Sequence, residues 1–388
     1  MRKIRTYNQI ASRGLDRFSR DSYEVSSEIS QPDAILLRSH KLSIDEIPQS
    51  VNAIARAGAG VNNIPIDECT REGVVVFNTP GANANAVKEL VLAGLLLSSR
   101  GIAEGMQYVK GLADTAPEQL NKEVEKGKKA YSGVELTGKV LGVVGLGAIG
   151  ANVANMALEL GMEVIGFDPA ISVEAAWRLS SDVQRAENLA SLLSRCDYVT
   201  LHVPAIDATR GMINSEALAG AKAGLKLLNF ARGEIVDTDA LVVALENGQV
   251  GRYVSDFPSQ LLMANDKVMQ LPHLGASTVE AEENCAVMGA NQLIDFLENG
   301  NIKNSVNFPQ IRMERTKGYR VTFANDNVPK VLSNVLALLA DMNINVIDLL
   351  NKSRNDVAYT ILDIEQAPDN ELLAAIANVE HVFHVRAV

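Results

Sequence analysis

The sequence predicts an α/β protein of parallel, doubly wound sheets that ends in a small βαββαβ unit. Three observations point there. From residue 140 onward, short apolar runs alternate with helix-length segments, the pattern of a parallel sheet crossed by helices. The stretch "VLGVVGLGAIG", residues 140–150, runs from an apolar strand into a glycine turn and then a helix. From residue 317 the pattern changes to strand–helix–strand–strand–helix–strand, a ferredoxin-like order.

Near the N-terminus, "AILLRS" (34–39), "NAIARAG" (52–58) and "VVVFNTPG" (74–81) read as strands that end in small-residue turns. Residues 84–105 carry helical periodicity, and "ELVLAGLLLSS" (89–99) reads as a buried helix too short to span a bilayer. Residues 106–137 are polar and rich in Lys and Glu, as in a surface connection. The alternation from 140 then gives strands near 140–145, 163–168, 198–204, 226–231, 251–257 and 267–273. Helices are expected near 149–160, 189–196, 214–223 and 238–248, with a long one over 277–298. Residues 299–317 have the composition of a linker.

Composition narrows the function. Of 388 residues 47% are apolar, enough for a sizeable core, and the net charge of −11 argues against nucleic acid, which needs a basic face. Cys69, Cys196 and Cys285 are widely spaced. They form neither a disulfide framework nor a metal pattern, which suits a reducing cytoplasm. The N-terminal stretch lacks the apolar core of a signal peptide, and no membrane segment is expected.

The glycines carry chemistry. Gly145 allows a tight turn, Gly147 lets the backbone approach a pyrophosphate, and Gly150 lets the helix pack close to the sheet. The helix N-terminus that follows offers free N–H groups to the phosphate charge. Asp168 lies eighteen residues past Gly150 at the end of the next strand, placed to accept bonds from ribose hydroxyls. Its charge repels a 2′-phosphate, so NAD is favoured over NADP. Two later segments offer a substrate cation and a proton carrier. Arg232 in "NFARGEIVDTDAL" can hold a carboxylate through two parallel bonds, and His273 in "LPHLGAST" suits acid–base work near neutral pH.

Together GLGAIG with Asp168, "FARGEIVDTDAL" and "PHLGAST" resemble the D-isomer-specific 2-hydroxyacid dehydrogenases. "ARAGAGVNNI" (55–64) and "VVVFNTPGANANAVKELVLAGLLL" (74–97) narrow the resemblance to the phosphoglycerate dehydrogenase branch. The resemblance implies a flavodoxin-like substrate domain (1–98 and 278–308) split around a Rossmann domain (99–277), then a regulatory ACT domain (317–388). It implies NAD-dependent oxidation of 3-phospho-D-glycerate to 3-phosphohydroxypyruvate, the entry to serine synthesis, by a cytoplasmic homodimer or homotetramer. Arg232 would then anchor the carboxylate and polarise the reacting oxygen, and His273 would take the hydroxyl proton. The backbone of Ala57, Gly58, Ala59 and Gly60 would hold the carboxylate, with Asn83 nearby. Asp256 would meet the nicotinamide carboxamide, and Ala148, Ile149, His202, Val203, Pro204, Ala231 and Gly275 would line the cofactor groove. Arg38 and Arg56, with His40 or Lys88, would take the phosphate.

Two positions depart from the family pattern. Gln260 in "DFPSQLL" falls where members carry a Glu paired to the catalytic histidine. A carboxamide can orient an imidazole but adds no charge to stabilise imidazolium. The expectation is a His273 that holds its proton less firmly, or substitution by Glu280 or Glu283. In the ACT-like unit, where members bind a small amino acid, "NDNVPK" supplies Asn325 and Asn327 and "NINV" supplies Asn345; Asn327 and Asn345 match positions that grip an L-serine effector, yet Lys330 stands where serine-sensitive members have Gly. The alternatives are another D-2-hydroxyacid dehydrogenase, acting on glycerate or hydroxypyruvate, and a non-catalytic NAD sensor of this fold.

Overall fold

The computed structural model describes residues 1–388, the side chain of Glu174 excepted. The chain makes two compact units, Met1–Ala82 with Val279–Val388 (unit 1) and Asn83–Thr278 (unit 2). The first segment runs β1 (Arg2–Tyr7), α1 (Ser12–Leu15), β2 (Tyr23–Ser26), β3 (Ala34–Leu37), β4 (Ala53–Arg56), α2 (Ile66–Arg71) and β5 (Val75–Phe77). The second runs α3 (Ala84–Ser99), α4 (Ile102–Gly111), α5 (Pro117–Gly127), β6 (Val140–Val144), α6 (Ala148–Glu159), β7 (Glu163–Phe167) and α7 (Val173–Ala176). It continues β8 (Gln184–Arg185), α8 (Leu189–Arg195), β9 (Tyr198–Leu201), α9 (Ser215–Ala219), β10 (Leu225–Asn229), α10 (Thr238–Glu246), β11 (Val250–Ser255) and β12 (Val268–Gln270). The third runs α11 (Val279–Asn299), β13 (Tyr319–Asp326), α12 (Val331–Asp341), β14 (Val346–Arg354), β15 (Val357–Ile364), α13 (Asn370–Ala377) and β16 (Val382–Ala387).

Unit 1 holds a parallel sheet in the order β2-β1-β3-β4-β5. The sequence pattern shows β3, β4 and β5 but not β1 or β2. β1 reads RKIRTY with only Ile4 fully buried, so its apolar alternation is too short to register. α11 lies on this sheet: Gly289 faces Leu36 and Ala55, and a Cβ there would sit 3.2 Å from the Leu36 side chain.

Residues 299–317 are not a free linker. Ile302, Phe308 and Ile311 are at most 1% exposed and join the core of the N-terminal sheet. Asn307 explains how a polar segment docks there. Its Oδ1 accepts from Val76 N (2.9 Å) and its Nδ2 donates to Val74 O (2.9 Å), so one carboxamide pairs with β5 as a neighbouring backbone would.

The C-terminal module is antiparallel, ordered β14-β15-β13-β16. One face carries α12 and α13 over Val321, Phe323, Val335, Leu339, Leu362 and Ile376. The other face places Ala324, Tyr359 and Ile361 in the same core as Phe296 and Phe308. A sheet buried on both faces cannot shed its neighbour without exposing apolar area. The module expected as a separate domain over 317–388 therefore shares a core with the rest of unit 1.

Unit 2 is a seven-stranded parallel sheet, β12-β11-β10-β9-β6-β7-β8, with the strand order reversing between β6 and β9. The helix expected over 84–105 breaks at Arg100, whose φ of −140° is extended. The expected connection over 106–137 is largely helical, as the end of α4 and all of α5. α3 packs on unit 2, with Gly94 against Leu228 and Phe230, so the first crossing of the chain falls at Ala82–Asn83 rather than after residue 98. All three cysteines are buried and free. Among the described residues no helix is long and apolar enough to cross a membrane, and no three His, Cys, Asp or Glu cluster as a metal site.

Candidate active site

In unit 2 the strand-order reversal puts a crevice beyond the carboxyl end of β6, where open α/β sheets bind ligands. Val140–Val144 is apolar and almost wholly buried, and it ends at Gly145, whose φ is +89°. A Cβ there would lie 2.5 Å from the His202 carbonyl oxygen. Gly147 caps α6 with no side-chain bond, and nothing lies within 4 Å of where its Cβ would be. That open space above unbonded helix N–H groups is an anion cradle. At Gly150 a Cβ would strike the Gly145 carbonyl, so the helix can approach this closely only with glycine.

Asp168 follows β7 and is half-buried. Its Oδ2 accepts from Leu146 N (2.8 Å) and its Oδ1 from Ala170 N (2.9 Å). The carboxylate therefore braces the glycine turn and keeps further lone pairs for a ribose. His202 continues β9 with its N donating to Val144 O (2.7 Å), and its Nε2 lies 3.0 Å from Thr200 Oγ1. Burial pushes its imidazole down to about 3, so it is a neutral wall of the groove. Thr209 Oγ1 donates to Pro204 O, which steadies the turn after Val203.

The chemistry-bearing residues sit at the ends of β10, β11 and β12. Asn229, fully buried, donates from Nδ2 to Arg232 O (2.9 Å) and accepts from Ala231 N (3.2 Å). This holds the turn that carries Arg232, whose guanidinium donates to Ala231 O (2.7 Å). Asp256 is 1% exposed; its Oδ2 accepts from Gly275 N (2.8 Å), and its backbone O accepts from His273 N (2.9 Å). His273 takes a φ of +42°, which turns it out of the chain's course, and its exposed ring packs on Phe257 with centroids 4.8 Å apart. The Arg232 guanidinium lies 5.9 Å from the same Phe257 ring. Burial pushes the Asp256 carboxyl up, opposed by the Gly275 N–H and the charges of His273 and Arg232.

Asp256 Oδ1 is buried with no partner, as is Asn83 Oδ1 at the start of α3. A buried acceptor left unpaired is costly, and a carboxamide N–H₂ would satisfy the one on Asp256. With the open cradle at Gly147, these groups fit a nicotinamide dinucleotide. Asn229 and Phe257 were missed in the sequence; both lie inside the segments quoted for Arg232 and Gln260, but only contacts reveal their roles. Gln260 opens a short 3-10 turn and is exposed, and among the described residues no hydrogen bond joins it to His273. Glu283 is ion-paired with Arg13 (3.0 Å), which removes it as a substitute.

In unit 1, Arg38 and Arg56 lie at the carboxyl ends of β3 and β4. Arg38 is ion-paired with Glu282 on α11 at 2.6 Å. Arg56 donates from Nε to Arg38 O (3.0 Å) and from Nη1 to Gly60 O, so it curls over its own turn. In that turn Ala57 N donates to Leu37 O and Gly58 N to Arg56 O, each at 2.8 Å. Among the described residues the Ala59 and Gly60 N–H groups make no backbone hydrogen bond. His40 stacks on Tyr7 (4.4 Å) and pairs with Glu46 (2.9 Å), while Lys88 donates to Asn85 (2.7 Å). Both are thus engaged elsewhere.

In the C-terminal module Asn325 donates to Asp326 O, and Asn327 donates to Asn355 O (2.9 Å) at the β14–β15 turn. Asn345 is exposed with no side-chain bond, so no hydrogen bond joins the three. Lys330 adopts φ +77°, the left-handed backbone expected of the Gly it replaces.

Residues 102–277 match the family model for the NAD binding domain of D-isomer specific 2-hydroxyacid dehydrogenases. The chain belongs to this family. Its relatives include a D-3-phosphoglycerate dehydrogenase from Haemophilus influenzae, 30% identical over 386 residues, covering 95% of this chain and 89% of the relative. Another from Synechocystis is 35% identical over 76% of this chain, which spans 53% of that protein. Among solved structures, NAD⁺-bound 3-phosphoglycerate dehydrogenase from Entamoeba histolytica aligns with TM-score 0.63 at 26% identity, covering 80% of this chain and 99% of that one.

Proposed function

We propose that the protein oxidises 3-phospho-D-glycerate to 3-phosphohydroxypyruvate with NAD, the first step of L-serine biosynthesis. The observation that carries this reading is in unit 2, where Arg232 and His273 meet one Phe257 ring beside buried Asp256. Bound NAD supplies a hydride acceptor. His273 takes the C2 hydroxyl proton as the C2 hydride leaves, and Arg232 holds the carboxylate and stabilises charge on the reacting oxygen. Asp256 offers its unpartnered Oδ1 to the carboxamide, and the Gly145–Gly150 turn and Asp168 hold pyrophosphate and ribose. The N–H groups of Ala59 and Gly60 serve the carboxylate, and Arg38 and Arg56 serve the phosphate. Gln260 is read as neutral in proton transfer.

The C-terminal module is read as an ACT domain with L-serine as its effector, and the protein as a cytoplasmic homo-oligomer. The test is NADH-dependent reduction of 3-phosphohydroxypyruvate, with hydroxypyruvate as control and with and without L-serine. Turnover that prefers the phosphorylated substrate supports the reading. NADH binding without turnover of either overturns it in favour of a sensor.

A further inference from the structure

Unit 1 holds a cavity that the proposed reaction does not use. It is an open cleft of about 540 Å³ between one stripe of α11 and the strap that follows it. Its wall carries one carboxylate, Asp295, one ammonium, Lys303, and several carboxamides. Several of these carboxamides are held by hydrogen bonds. Gln292 donates to Asn78 O (3.0 Å) and accepts from Asn304 (2.9 Å), and Asn301 donates to Asp295 Oδ1 (3.0 Å) while accepting from Met313 N (3.0 Å). Asn299 also donates to Asp295 Oδ1 (2.9 Å).

Those bonds leave a specific residue of capacity. Asp295 is oriented by two donors on Oδ1, and its Oδ2 accepts none among the described residues. Lys303 Nζ and the Asn284 amide likewise make no side-chain bond there. A carboxylate pre-set by its neighbours loses little freedom on binding a cation. One free anion, one free cation and neutral carboxamides in one cleft match a small ligand that carries both charges and is neutral overall. A simple anion would meet Asp295, and a simple amine would meet Lys303, each without compensation.

We propose that this cleft binds a small zwitterion of the α-amino acid class, its ammonium on Asp295 and its carboxylate on Lys303. The site is distinct from the asparagines of the C-terminal module. The experiment is calorimetric titration of the full chain with L-serine and L-glutamine, using ethanolamine and glycolate as single-charge controls. At least one amino acid binds, and each control binds at least about tenfold more weakly. Because the C-terminal module is itself read as taking L-serine, the titration is repeated in a chain carrying Asn327→Ala with Asn345→Ala: binding persists there, and Lys303→Met or Asp295→Asn added to that chain weakens it about tenfold or more. The proposal fails if neither amino acid binds in that background, if a single-charge control binds equally well, or if neither Lys303→Met nor Asp295→Asn weakens binding there. Lys303 is exposed, so its substitution does not threaten the fold.

Discussion

Arg320 and Asp363 form a fully buried, two-point ion pair, Nε to Oδ1 at 2.6 Å and Nη2 to Oδ2 at 2.9 Å. The remaining guanidinium bonds go to the carbonyls of Asn299, Met313 and Glu314, so the arginine of β13 also holds the strap. Burial pushes the Asp363 carboxyl up, but Arg320 and Thr316 outweigh it and leave it below the ordinary range. Asp363→Asn strands a buried guanidinium and is expected to cost about 3–5 kcal/mol, read from denaturant midpoints. Arg320→Met with Asp363→Leu should cost less than the sum of the single changes.

The Arg38–Glu282 pair makes a kinetic prediction. Both side chains are about two-fifths exposed, so the pair is worth at most about 1 kcal/mol. Glu282→Gln frees Arg38 for phosphate. KM for 3-phosphohydroxypyruvate should fall by up to about fivefold, with kcat and the KM for hydroxypyruvate unchanged.

His273→Ala should lower kcat by about 10²–10⁴ with NADH affinity retained, measured by stopped-flow turnover and fluorescence titration. Gln260→Glu should leave kcat and its pH midpoint where they are, because the side chain makes no bond to His273. A shifted midpoint would show that the turn closes on His273 during catalysis.

Asp168→Ala removes both the ribose acceptor and the brace on Leu146 N. Hydrogen bonds to a charged group are worth about 1.5–3 kcal/mol, so KM for NADH should rise about tenfold or more. KM for NADPH should fall relative to it, since the repelling charge is gone.

Acid stability should follow two histidines. Burial pushes His202 down to about 3, and burial with Arg386 pushes His384 down to about 4, against 6.5 for an exposed imidazole. The unfolded chain then takes up protons first, so stability falls as pH drops below about 6.5 and keeps falling to about 4. Each histidine contributes a slope of up to about 1.4 kcal/mol per pH unit. His384→Gln should flatten the urea midpoint against pH in that window. An unchanged slope would place His384 in contact with solvent.

Much of this protein is local and therefore legible in its residues. The glycine turn, Asp168 and the β10, β11 and β12 termini are set by strand–turn–helix chemistry within a few residues, and the C-terminal βαββαβ order follows from short-range periodicity. What needed the folded chain are relationships between distant residues. Arg38 meets Glu282 only because α11 returns to the N-terminal sheet, and the strap over 299–317 has the composition of a linker until Asn307 is seen pairing with β5. β1 is hidden by its charges, although pairing with β2 and β3 makes it a strand. The residues alone specified which groups could carry hydride chemistry. The tertiary structure decided which of them are already bonded, because burial and long-range partners, not neighbours in sequence, set what a side chain has left to offer.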